Sequence, residues 1–243
     1  MISVDELVKT YGSVHAVQGL SLAVQAGEIL GLVGPNGAGK TTTLRCMTGI
    51  IPPTSGRVTI AGFDLSTQPI EAKRRLAFVP DEPRLFDYLT AWDHLVMTSR
   101  LYGVVDGPSR AKALLDEFEL ADRRNAYPSE LSRGMKQKLM VAMALVHQPQ
   151  AMLLDEPLTG LDPAAMRRMK TRIRDTAKEG VAVILSSHML HLVEEICGRV
   201  VVVVRGKKVL DGTLEEIRRA SPGLAGDADL EAIFMKAVEG DSA

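Results

Sequence analysis

The densest chemistry in the sequence lies in Gly34-Pro35-Asn36-Gly37-Ala38-Gly39-Lys40-Thr41, with Thr42 next. Glycines at these places let backbone N–H groups converge on phosphate oxygens. The apolar run Ile29 to Val33 precedes the loop and reads as a strand, and Thr42 to Thr48 suits a helix whose dipole presents its positive end to the same oxygens. Lys40 would add a point charge at the β- and γ-phosphates, Thr41 a hydroxyl ligand for Mg²⁺, and Thr42 a donor to the α-phosphate. A glycine-rich turn without a ligand would need neither flank.

A second constellation is Ala151-Met152-Leu153-Leu154-Asp155-Glu156, an apolar run that ends in two carboxylates. A strand this apolar is buried on both faces, and parallel sheets bind ligands at the carboxyl ends of their strands. Asp155 is therefore expected in the Mg²⁺ shell. Glu156, one residue on, points elsewhere and is placed to accept a proton from, or to orient, a water attacking the γ-phosphate.

Elements able to position these groups are legible around them. Ile2 to Leu7, Val14 to Val17, Leu20 to Val24, Ile29 to Val33 and Arg57 to Ile60 read as short strands between glycine turns. From Thr90 the period becomes helical, with Trp92, Leu95, Val96, Ser99 and Leu101 near one face and Thr90 and Asp93 as a cap. A second helix opens at Pro108 and Ser109 and a third near Ser132, so about 85–146 reads as helical. Afterwards strands at Ala151 to Leu154, Val181 to Leu185 and Val200 to Val204 alternate with helices at Pro163 to Lys178 and Met189 to Cys197. A hairpin through Arg205-Gly206-Lys207 to Lys208–Leu210, then a capping box of Thr213 and Glu216, close the pattern. Strand and helix in alternation imply an α/β fold with a largely parallel sheet covered on both faces and a helical insertion.

These residues resemble one family, the ATP-binding-cassette nucleotide-binding domains, along nearly the whole chain. Leu131-Ser132-Arg133-Gly134-Met135 stands at the signature-motif position, Leu161-Asp162 after Pro157-Leu158-Thr159-Gly160 is similar to the D-loop, and His188 after Ser186-Ser187 is similar to the switch histidine. Tyr11, ahead of Gly12, matches the adenine-stacking aromatic. The resemblance implies a P-loop NTPase core with a mixed, largely parallel sheet, N-terminal antiparallel strands and an inserted helical subdomain. It also implies a single domain, 1–243, with its core in about 1–84 and 147–243 and the subdomain in about 85–146. It gives Ser132 and Gly134 to the γ-phosphate held by a second subunit, and His188 to the γ-phosphate, Glu156 and the water. His15, His94, His147 and His191 are expected to be surface or core residues.

Two positions depart from the family. Where many relatives carry the Q-loop glutamine, Asp81 follows Leu76-Ala77-Phe78-Val79-Pro80; it remains a metal candidate, shorter and charged. Arg133 and Met135 replace a glycine and a glutamine of the commonest signature sequence, which makes that loop bulkier and more basic. Met135-Lys136-Gln137, the stretch Pro149 to Pro163 and the segment Asp229 to Phe234 are similar to the efflux-type subfamily, whose members serve drug, antibiotic, lipid or sodium exporters.

The resemblance thus implies a cytoplasmic ATPase subunit that dimerises around two Mg-ATP and drives separate membrane-spanning permease subunits. They would dock near the Asp81 loop and the Leu85 to Gly103 region. There Phe86, Tyr88 and Trp92 are either a pocket for a partner helix or core. A soluble ATPase of the same family and an ATP-gated regulatory module are the competing readings.

Composition agrees with these limits. The 243 residues carry 29 Lys and Arg against 30 Asp and Glu, a net charge of −1, which is unlike a nucleic-acid-binding coat. Hydrophobic residues make up 46%, enough for a sizeable core. The apolar runs Leu139 to Val146 and Val200 to Val204 fall short of the roughly 20 residues that cross a bilayer. The opening Met1-Ile2-Ser3-Val4-Asp5-Glu6 is unlike a secretory signal. Two cysteines, Cys46 and Cys197, suit neither a disulfide framework nor a zinc site.

Overall fold

A computed structural model describes residues 1–219 and 230–240. Strands β1 (Ile2–Tyr11) and β2 (Val14–Val24) form an antiparallel hairpin. Register shifts in this ladder let β2 run unbroken through Gly19, where the sequence alone suggested two strands, and carry β1 past Leu7 to Tyr11. Next come β3 (Ile29–Val33), α1 (Lys40–Met47), β4 (Ser55–Ile60), β5 (Phe63–Asp64), α2 (Pro69–Arg74) and β6 (Leu76–Val79). Three helices follow: α3 (Ala91–Leu101), α4 (Gly107–Glu117) and α5 (Arg133–Val146). The alternating part comprises β7 (Ala151–Asp155), α6 (Pro163–Lys178), β8 (Ala182–Ser186), α7 (Leu190–Ile196), β9 (Arg199–Val204) and β10 (Lys207–Thr213), then α8 (Leu214–Arg219) and α9 (Leu230–Gly240). Asp229, the first residue of the expected closing helix, lies outside the described residues.

Two sheets result. One is antiparallel, in the order β2-β1-β4-β5. The other has six strands, β10-β9-β3-β8-β7-β6; β9 through β6 run parallel and β10 is an antiparallel edge. The large sheet divides two cores, and the division follows the two-residue period of its strands. Leu30 and Leu32, Leu153, Ile184, Val201 and Val203 face the small sheet and α1. Ile29 and Val33, Met152, Leu154, Val183, Leu185, Val200 and Val202 face the helices. This explains why the parallel strands read as continuous apolar runs rather than alternating ones.

The caps legible in the sequence form as expected. Thr90 Oγ1 accepts from Asp93 N while the Asp93 carboxylate accepts from Thr90 N. Ser132 Oγ accepts from Met135 N at 3.2 Å. A further cap, one not read from the sequence, opens α6: Asp162 Oδ1 accepts from Ala164 N and Ala165 N, both at 2.9 Å. Thr213 and Glu216 close the reciprocal pair ahead of α8. Residues 85–90, read within the helical region, are not helical. Their path is fixed instead by His94, fully buried on α3, whose Nε2 accepts from Phe86 N at 2.9 Å and whose Nδ1 donates to Thr90 O at 2.8 Å.

Candidate functional site

The carboxyl ends of β3, β7 and β8 meet at one edge of the large sheet, where a cavity of about 760 Å³ opens. The loop after β3 wraps tightly over this edge. Gly39 takes φ 102°, a left-handed value that costs a residue with a side chain. A Cβ there would collide with Ala16 O, and one on Gly34 with Val203 O, so the loop sits hard against β2 and β9.

Lys40 begins α1 and is buried, with Nζ donating to Gly34 O at 2.7 Å and to Pro35 O at 3.1 Å. Burial lowers its pKa, while the charges of Glu156 and Asp155 act to raise it. Its ammonium is thus folded back on the carbonyls of its own loop.

Thr41 Oγ1 donates to Asp155 Oδ2 at 2.8 Å, which joins the start of α1 to the end of β7. Asp155 is almost fully buried. Burial pushes its carboxyl above the ordinary range, the nearby charges of Glu156 and Asp81 add to this, and the Thr41 and Ser186 hydroxyls oppose it. A carboxylate so placed gains from a cation. Among the described residues no three His, Cys, Asp or Glu side chains form a group that could hold a metal ion.

Glu156 follows at φ 50°, an uncommon value for a residue with a side chain, which turns its carboxylate away from that of Asp155. Glu156 N donates to Ser186 O at 2.9 Å, so the end of β7 is tied to the end of β8. Three donors hold the carboxylate: His188 N at 2.9 Å and His188 Nδ1 at 2.8 Å on Oε1, and Ser187 Oγ at 3.2 Å on Oε2. Glu156 as an ionised acceptor fixes the proton on Nδ1 of His188. Asp81 also lines the cavity and meets Arg133 at 4.0 Å, an exposed pair worth at most about 1 kcal/mol.

The cavity therefore gathers Asn36 to Thr42, Asp81, Asp155, Glu156 and His188 from the residues marked by the sequence. Gly34 and Pro35 stand behind them as acceptors for Lys40. Three marked residues lie off its walls. Tyr11 is half-exposed at the end of β1, with Lys9 Nζ 4.9 Å above its ring. Ser132 and Gly134 lie at the start of α5, beside the turn after β7: a Cβ on Gly134 would sit 3.1 Å from Gly160 O. The structure adds wall residues that no motif marked, Val14, His15, Ala16 and Gln18 from β2 and Arg205, and brings to the wall Arg133 and Thr159, which the motifs contain but to which no role was given. Those on β2 reach the site because the small sheet lies against Gly39, a packing fact with no local sequence signal.

The ABC transporter family matches residues 17–159 of this chain. The chain belongs to that family. It is an ATP-binding subunit of ABC transporters and an ATPase. It is 32% identical over 219 residues to the linearmycin resistance ATP-binding protein of Bacillus subtilis, covering 89% of this chain and 70% of that protein. To the Nod factor export ATP-binding protein I of Paraburkholderia xenovorans it is 38% identical over 213 residues, covering 87% and 70%. A solved ATP-binding subunit of an ABC transporter, 33% identical, superposes with a TM-score of 0.92 over 98% of this chain and 99% of that one. An ATP-binding cassette solved as a dimer in a post-hydrolysis state with ADP and Pi shares the fold, with a TM-score of 0.81 over 88% of this chain and 99% of that one at 23% identity. The fold of this ABC ATPase is thus the α/β arrangement expected of it, with the antiparallel N-terminal sheet and the helical layer in place.

Proposed function

We propose that this chain powers an exporter: two copies close around two Mg-ATP, and their closing and opening move a substrate through separate membrane-spanning subunits. The relatives named for Nod factor export and linearmycin resistance support the direction. Among the described residues no helix is long and apolar enough to cross a membrane, in keeping with attachment to the cytoplasmic face through permease subunits. Residues 85–146 act as a subdomain on a single-domain core, and no nucleic acid takes part.

One observation carries the catalytic reading: Lys40, the Thr41–Asp155 pair and the Glu156–His188 pair share a single cavity. The backbone N–H groups from Asn36 to Thr42 cradle the phosphates, and Lys40 turns its ammonium from Gly34 O and Pro35 O to the β- and γ-phosphates. Thr41, Asp155 and Asp81 would hold Mg²⁺, whose chemistry there would be to neutralise charge on the phosphate oxygens. Glu156 orients the attacking water and accepts its proton on the carboxylate, while His188 keeps Nδ1–H on Glu156 and, with both ring nitrogens protonated, would donate from Nε2 to the γ-phosphate. Tyr11 gives a flat face to adenine. Ser132 and Gly134, off their own cavity, offer the N-terminus of α5 to the γ-phosphate of the second copy. ATP then has differential affinity for the closed pair, and hydrolysis removes those contacts.

Glu156→Gln tests this. Steady-state hydrolysis should fall by roughly 10²–10⁴, the usual worth of a positioned proton acceptor, while an ATP-dependent dimer accumulates on a sizing column. Ordinary turnover in that variant would remove Glu156 from its role.

A further inference from the structure

The end of β8 carries a side chain that neither the catalytic reading nor the family match uses. Ser187 is buried, with 3% of its surface exposed, and does not line the cavity. Its Oγ accepts from Met189 N at 3.1 Å, at the turn into α7, and donates to Glu156 Oε2 at 3.2 Å. Both bonds have directional consequences. The acceptor side of the hydroxyl is engaged by a backbone N–H, and an ionised carboxylate takes only donors, so the hydroxyl proton lies toward Glu156.

The two oxygens of Glu156 are therefore held by different parts of one turn. Oε1 takes the His188 ring and backbone, whereas Oε2 takes Ser187 alone. The imidazole of His188 is 59% exposed, whereas Ser187 is enclosed and tied to the backbone at the turn into α7. Resting on the reading of Glu156 as the proton acceptor, we propose that Ser187 is a positioning residue: it fixes the plane of the Glu156 carboxylate through Oε2, independently of the exposed imidazole on Oε1, so that the acceptor keeps its aim toward the water. Ser187 itself touches neither nucleotide nor water.

Because it acts through Glu156, Ser187 should affect chemistry and leave binding alone. Ser187→Ala should lower kcat about tenfold, in line with loss of one hydrogen bond to a charged group, with KM for ATP within about twofold. Ser187→Thr, which keeps the hydroxyl, should restore most of the rate. In nucleotide-free protein, the His188 amide should exchange with deuterium faster in Ser187→Ala than in Ser187→Thr, since its acceptor is no longer held. In a Glu156→Gln background, adding Ser187→Ala should leave single-turnover hydrolysis unchanged. Full kcat in Ser187→Ala would overturn the proposal, as would an equal loss in the Glu156→Gln background. The Glu156→Gln single variant reads separately: normal turnover there would bring down the role of Glu156 rather than that of Ser187.

Discussion

On the proposed reading the edge of the large sheet and the N-terminus of α5 each meet a phosphate, yet they are built differently. At the sheet edge Lys40 and Asp155 are buried, and the groups are already bonded to each other: Lys40 to Gly34 O, Thr41 to Asp155, Glu156 to the Ser187–His188 turn. At α5, Ser132 and Arg133 are exposed, and neither Ser132 nor Gly134 reaches the cavity of its own chain. The first region is pre-organised by the sheet that it closes, so a ligand has only to displace internal partners. The second has a fixed cap but an open outer face, and its use depends on what is brought to it. A molecule divided in this way can bind nucleotide as one copy and respond to it as two.

The comparison is tested most severely at Lys40. Lys40→Ala removes a buried cation from the pre-organised half, and ATP affinity should fall between roughly a hundredfold and a thousandfold, measured by titration of the isolated subunit. Unchanged affinity would mean that the sheet edge is not the nucleotide site.

A pH titration asks whether the two halves also differ in stability. His147, at the C-terminal end of α5, stacks on Tyr102 at 3.8 Å, and burial pulls its pKa from 6.5 down to about 4. The folded state then binds fewer protons than the unfolded one between these values. The stabilisation is complete above pH 6.5, is lost as the pH falls toward 4, and changes no further below that. The loss should be on the order of 3 kcal/mol, read from urea midpoints across that range. The single tryptophan, Trp92, lies on α3 and reports on the helical half. If acid loosens that half first, Trp92 fluorescence should change before far-ultraviolet circular dichroism does; coincident transitions would make the halves one cooperative unit.

The smallest expected effect is at Ser132. Ser132→Ala should cost about 1 kcal/mol through the lost cap on Met135 N. ATP affinity of the single copy should stay within about twofold while ATP-dependent dimerisation weakens by about tenfold. Equal loss in both measurements would place Ser132 in its own chain's site and erase the contrast.

Much of this was legible in the residues. The phosphate loop, the carboxylates at the end of β7 and the caps of α3, α5 and α8 depend on local backbone chemistry, and local chemistry is written in adjacent letters. The unbroken course of β2 was hidden because Gly19 reads as a turn, whereas pairing with β1 absorbs it through register shifts. His15 read as a surface or core residue; it is exposed, and it also lines the cavity, because the loop closes on Ala16 of the neighbouring sheet. Phe86, Tyr88 and Trp92 looked like one cluster. The fold separates them: Tyr88 is 92% exposed and Phe86 largely so, while Trp92 packs on the helical core with Arg124 over its ring at 4.4 Å.

The sequence by itself determined which groups this ABC ATPase would bring to its sheet edge, because glycine geometry, helix dipoles and strand periods act over a few residues. Only the tertiary structure decided which internal partners those groups take, and which of them stay outside. Those outcomes rest on contacts between strands far apart in the chain, such as Thr41 with Asp155 and Glu156 with Ser187, whose formation depends on the order in which the sheet is assembled.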